Sequence, residues 1–171
     1  QWQWVSSMGE NGPETDIDSF ENPHMMPEGW AIENIRGVGW AHGLLGNTTL
    51  GPSQWHSGQN GVGIQLNGQY AANSFAHLIS PEYVLPDNVT AQLSFRHWIC
   101  TESAWDGGAV SISTDGGLNW WYPSRCRRLS RSNFECQHEF SVLWRRIARW
   151  IPGNRWLWKW STTSVRVEDV R

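Results

Sequence analysis

Basic residues are almost missing from the first 123 positions, where Arg36 and Arg96 stand against twelve carboxylates, a net of −10. No stretch approaches the ~20 apolar residues that a membrane helix needs, so no transmembrane segment is expected. The opening "QWQWVSSMGENGPETD" has no basic region followed by an apolar one. No signal peptide is visible there, and the chain reads as a mature product or an excised domain. Three cysteines, Cys100, Cys126 and Cys136, form an odd set without Cys-x-x-Cys spacing. They give no disulfide framework and no zinc signature, and they leave the pairing and the redox compartment open. The HExxH zinc-protease signature, the G-x-S-x-G elbow, the P-loop and the Rossmann fingerprint are all absent. Charge itself is scarce, at 17% of residues, beside 17 glycines and 14 tryptophans. That balance is typical of exported β-rich modules rather than helical cytosolic enzymes.

The 171 residues suit one domain with a real core. Up to Trp121 the pattern is strands and turns, with no convincing amphipathic helix. In "GVGIQLNGQY", Val62, Ile64 and Leu66 recur at period two between Gly-rich turns. "AHLISPEYVLPDNVTAQLSFRHWIC" gives two extended runs around a proline-bearing turn, with Leu93, Phe95 and His97 facing opposite to Ser94, Arg96 and Trp98. "GAVSISTDGGLNWWY" reads as a hairpin, with Asp115-Gly116-Gly117 supplying the positive-φ positions of a tight turn. Turn signals every ten or so residues predict an antiparallel sandwich.

The hairpin's "STDGGLNW" is close to the Asp-box that sialidases repeat once per propeller blade. A propeller needs that box several times, and here it occurs once. The expected role is structural: Asp115 accepts backbone N–H groups across the turn and Trp120 packs back over it.

A wider pattern runs from His56 to Trp120. It comprises His56-Ser57-Gly58, Leu78-Ile79-Ser80-Pro81, Leu93-Ser94-Phe95-Arg96-His97-Trp98, Glu102 with Asp106-Gly107-Gly108, and the Asp115 hairpin. "DSFENPHMMPEGWAIEN" precedes it and looks like an opening strand. Together, over some 100 residues, these pieces resemble the MAM-like jelly-roll domain that accompanies immune inhibitor A-type secreted bacterial metalloproteases and similar exported proteins. The resemblance implies an all-β antiparallel jelly-roll β-sandwich acting as an accessory part of varied hosts, and so speaks for fold more than for function.

After Tyr122 the resemblance stops. Residues 124–160 carry nine basic residues against Glu135 and Glu139, where the family continues with a Gly-rich loop and further strands. Glycine codons read one base out of register become Trp or Arg codons. The Arg/Trp-rich segment is therefore expected to be a frame-shifted stretch to about residue 159, with the frame restored near "WSTTSVRVEDV". That misreading leaves the jelly roll incomplete at its C-terminus. The Arg/Trp mixture is also that of membrane-active or nucleic-acid-binding peptides, but Pro152 and Gly153 break any long amphipathic helix.

Carboxylates at strand ends and Gly-rich turns are hard-oxygen donors of the kind calcium sites use. In related jelly-roll modules a first-strand Glu and a loop Asp bind structural calcium, which the resemblance carries to Glu21 and Asp106. Glu102 joins them as a metal candidate. Tryptophan faces stack on sugar rings, and Trp105, Trp55 and Trp121 are the ligand-binding candidates, whereas Trp98 and Trp120 are expected in the core. His42, His56, His77 and His97 are expected to be structural, because His97 and Cys100 fall on opposite faces of a strand. Glu102 and Asp106 have nothing that positions them as a glycosidase acid and nucleophile.

The expectation is a non-catalytic, calcium-stabilised binding or accessory module of a secreted or surface-attached bacterial protein. Its partners would be an extracellular protein or polysaccharide and a parent secreted enzyme, with no nucleic acid. The alternatives are a carbohydrate-binding module and a glycoside hydrolase fragment.

Overall fold

The computed structural model describes residues 2–7, 14–46, 52, 54–55, 57–68, 70–84, 90–98, 106–121, 137–145 and 155–163. Eleven strands are described: β1 (Trp2–Ser7), β2 (Glu14–Asp18), β3 (Ala31–Arg36), β4 (Trp40–Leu44), β5 (Asn60–Ile64), β6 (Phe75–Ile79), β7 (Tyr83–Val84), β8 (Thr90–Trp98), β9 (Gly107–Ser113), β10 (Gln137–Arg145) and β11 (Arg155–Thr163). Among the described residues there is no helix, and every ladder is antiparallel. The chain is all-β.

One sheet runs β10-β8-β1-β2. In the second, β11 lies between β9 on one side and β6 and β7 on the other, and β3 flanks β6. β4 and β5 form a separate ribbon with Trp40 opposite Ile64. Strand alternation explains the division of side chains in β6: Ala76 and Leu78 are buried, while Phe75, His77 and Ile79 on the other face are half-buried. In β8 the buried pair is Leu93 and Phe95, as the period-two reading predicts.

These two strands meet Val110 and Ile112 of β9 and Phe20 in one buried cluster, with Met26, Trp30, Ile32, Trp40, Val62 and Tyr83 packed against it. The cluster draws on both larger sheets and on the ribbon, so the sheets share one core. Each large side chain fully withdrawn from water there contributes roughly 1.5–3 kcal/mol.

Two findings differ from the sequence reading or extend it. The stretch expected as an opening strand, residues 18–34, is the end of β2, an irregular segment and the start of β3. Pro23 and Pro27 cannot donate to a ladder and Gly29 takes φ +80°, which together interrupt extended pairing. Second, β10 and most of β11 fall inside the off-pattern segment 124–160. Their ladders join main-chain groups, which any residue except proline supplies equally, so pairing by itself does not distinguish one reading frame from another. Trp160–Thr163, where the family-like pattern resumes, lie in register with both β6 and β9.

Candidate functional site

The most heavily constrained polar group begins with a backbone outlier. Phe20 has φ 59°, a left-handed conformation that a bulky residue adopts at a cost of order 1–3 kcal/mol. The kink drives the Phe20 ring into the core, edge-on to Trp30 at 4.9 Å between centroids. Its carbonyl oxygen faces His42 Nε2 at 2.8 Å. Glu21 follows directly and reaches the start of β5. There its Oε2 accepts the backbone N–H of Gln59 at 2.9 Å and of Asn60 at 3.3 Å, while Asn60 Nδ2 donates to the Glu21 carbonyl at 3.2 Å. Gly58, at φ 65°, makes this approach possible: a Cβ there would lie 1.9 Å from Glu21 Oε1. Asn60 is 8% exposed, and its Oδ1 is buried without a hydrogen-bond partner among the described residues. A carboxylate and an unsatisfied amide oxygen are both oxygen donors of the kind a hard cation takes.

Asp106 lies just before β9, 4% exposed, and accepts a hydrogen bond at Oδ2 from the Tyr70 hydroxyl. Glu102 and Trp105 lie outside the described residues, as do His56 and all three cysteines. Among the described residues no group of three or more His, Cys, Asp or Glu side chains is placed to hold a metal ion.

Trp55 lies over the β5 backbone: a Cβ on Gly61 would stand 2.8 Å from its ring, and one on Gly63 3.8 Å. Its Nε1 is buried without a partner among the described residues. Trp121, in contrast, is 60% exposed, held by a two-way backbone bridge to Ile112 at 2.9 and 2.8 Å.

The Asp115 hairpin is satisfied locally. Asp115 Oδ1 accepts the Asn119 N–H at 2.9 Å and the Ser113 hydroxyl at 2.8 Å, and Oδ2 accepts Asn119 Nδ2 at 2.6 Å. Ser113 Oγ in turn accepts the Gly117 N–H at 2.9 Å, and Gly116 and Gly117 take φ 72° and 90°. The N–H groups of Asn119, then the Ser113 hydroxyl, hold the Asp115 carboxyl below its ordinary 3.8. The hairpin's stabilisation is therefore present above that value and lost as pH falls through the lower folded one. In Asp115→Ala the amides of Asn119 and Gly117 are expected to exchange hydrogen faster while the β6 amides stay unchanged. Equal protection in the variant would show that the turn stands without the carboxylate.

One group was not anticipated. On the face of the second sheet away from the core, His77 stands across from Glu33, edge-on to Phe75 at 4.8 Å, with its Nδ1 buried and without a partner among the described residues. Diagonal to it, Lys159 of β11, the chain's one lysine, sets its ammonium 4.2 Å above the Trp120 ring. Trp120 is thus half-buried under a cation rather than in the core. Burial first, and then the Lys159 charge, push the His77 pKa below 6.5, against an opposing pull from Glu33. The folded state refuses a proton that the unfolded chain takes up. Stability should therefore fall as pH drops from about 6.5 toward the lower folded value, and stay flat with respect to this group above it. His77→Gln should flatten that part of a stability–pH curve measured in urea. An unchanged slope would assign the acid sensitivity elsewhere.

No family model matches the chain, and no solved structure matches it. Over 94 residues, 55% of the chain, it is 30% identical to Bacillopeptidase F of Bacillus subtilis (strain 168). That stretch is 6% of the peptidase's length. Over half its length, then, the chain is similar to a small part of a much longer bacterial peptidase.

Proposed function

We propose that this chain is a non-catalytic binding or accessory module of jelly-roll type, belonging to a secreted or surface-attached bacterial protein and working beside a peptidase. The observation that carries the reading is the 94-residue similarity to 6% of Bacillopeptidase F, the scale of a module within a longer chain. Calcium is its structural cofactor, with Glu21, Asp106 and Glu102 as ligands. The unsatisfied Asn60 Oδ1 beside Glu21 supports an oxygen-donor site there. When bound, the ion would neutralise carboxylates in a region of net −10. The test is turnover by the purified full chain on casein and on chromogenic glycosides. None is expected above background. Turnover of a glycoside that disappears in Asp115→Ala would instead favour the Asp-box hydrolase reading, against which the saturated hydrogen bonding of Asp115 argues.

A second reading, polysaccharide binding, draws on the 60% exposure of Trp121. A saturable change in tryptophan fluorescence on titrating polysaccharides, lost in Trp121→Ala, is its expected sign. A flat response to all of them would reject it. For residues 124–159 the proposal is a frame-shifted stretch. The coding DNA tests it: the neighbouring frame should be open and Gly-rich across the segment, and a frame that is neither rejects the idea.

A further inference from the structure

We infer that Asn67–Gly68 is a site of spontaneous deamidation, favoured by the fold over the other described Asn-Gly pair, Asn60–Gly61. There are three such pairs, at positions 11–12, 60–61 and 67–68, and the first lies outside the described residues. The chemistry requires the backbone nitrogen of the glycine to reach the side-chain carbonyl carbon of the asparagine. That in turn requires a backbone free to rotate and an amide side chain that is not engaged elsewhere.

The two described pairs differ in both respects. Asn60 is buried, its Nδ2 donates to the Glu21 carbonyl and its N–H to the Glu21 carboxylate, and Gly61 is held in the β4–β5 ladder opposite Gly43. Asn67 and Gly68 are both exposed in the turn after β5. The Asn67 side chain makes no hydrogen bond among the described residues, and its Oδ1 meets only the Cβ-less face of Gly46, where a Cβ would stand 1.9 Å away. The Gly68 N–H is tied only by a long 3.4 Å bond to the Gln65 carbonyl, beyond the usual range for such bonds. The surroundings of Gly68 are open as well: a Cβ there would find nothing nearer than Gln65 Nε2 at 3.6 Å. Glycine also opens the backbone conformations that other residues resist.

In the reaction the Gly68 nitrogen gives up its proton to solvent base and bonds to Asn67 Cγ. The Cγ–Nδ2 bond breaks and ammonia leaves, giving a succinimide. Water then opens the ring at either carbonyl, leaving aspartate or isoaspartate at position 67 with no change in oxidation state. The site matters because Gly46 packs against this turn. Its N–H donates to the Leu66 carbonyl at 2.9 Å, and a Cβ on Gly46 would stand 2.7 Å from Asn67 Cα. Isoaspartate lengthens the main chain by one carbon at that contact and adds a carboxylate to an acid-rich region.

The full chain, incubated at pH 8 and 37 °C in parallel native and urea-denatured samples, tests this by peptide mass spectrometry with fragment localisation. The native sample should gain 1 Da at position 67 and not at position 60, the denatured sample at both, and Gly68→Ala should slow the gain at 67 several-fold. The modified fraction should also melt lower than the fresh protein. No gain at 67 in the native sample while the denatured one reacts, or equal native rates at 60 and 67, would overturn the assignment.

Discussion

Phe95→Ala is expected to destabilise the protein by about 3–5 kcal/mol in urea denaturation of the full chain. Phe95 sits in β8, the strand that joins β1 to β10, and at 2% exposure its ring belongs to the cluster that both larger sheets share. Truncation removes the transfer energy of the ring and leaves a cavity. Leu93 and Leu78 cannot fill it without leaving the ladders that fix their backbones. Phe95→Leu keeps much of the volume and should cost under about 1.5 kcal/mol. The ordering matters as much as the size. If the alanine variant lost less than the leucine variant, or if its own loss were below about 1 kcal/mol, the sheets would not be held by this core.

Glu21→Gln should have two separable effects. In chelator it removes the charge that accepts the Gln59 and Asn60 N–H groups, at a cost of about 1–3 kcal/mol for charge-assisted bonds. In calcium the wild-type chain should gain about 2.7 kcal/mol at a hundredfold excess over the dissociation constant, a rise of several degrees in melting temperature. The variant should show little or none of that rise. A wild-type chain whose melting temperature is indifferent to calcium would reject the metal. A variant that keeps the full rise would leave calcium in place and remove Glu21 from its ligands. Gly58→Ala is a structural counterpart: its Cβ collides with the Glu21 carboxylate in a left-handed backbone, so it should disrupt the clasp without altering any donor.

How much of this was legible in the sequence depends on how far apart the partners lie along the chain. The Asp115 hairpin could be read because its hydrogen bonds close within Ser113–Asn119, and the turn demands glycine where glycine stands. Strand β8 showed itself by alternation, since burying one face of a pleated strand imposes period two, whereas β9 is buried on both faces, Val110 and Ile112 on one and Ser111 and Ser113 on the other. The Glu21 clasp was half legible. The resemblance singled out the carboxylate, but its amide partners lie 38 and 39 residues away and carry no local signature.

What tertiary structure alone decided follows the same logic. A tryptophan's identity does not say which surface it meets. Packing put Trp55 over the glycines of β5, Trp120 beneath the Lys159 ammonium, and Trp121 in solvent. The row Glu33, His77, Lys159 comes from three strands whose registers are set by pairing rather than by spacing. Composition and periodicity determined that this chain is β, because those signals act residue by residue along a strand. Long-range pairing determined which polar groups meet, because an ion pair, a clasp or a stacked ring exists only once separate strands are aligned.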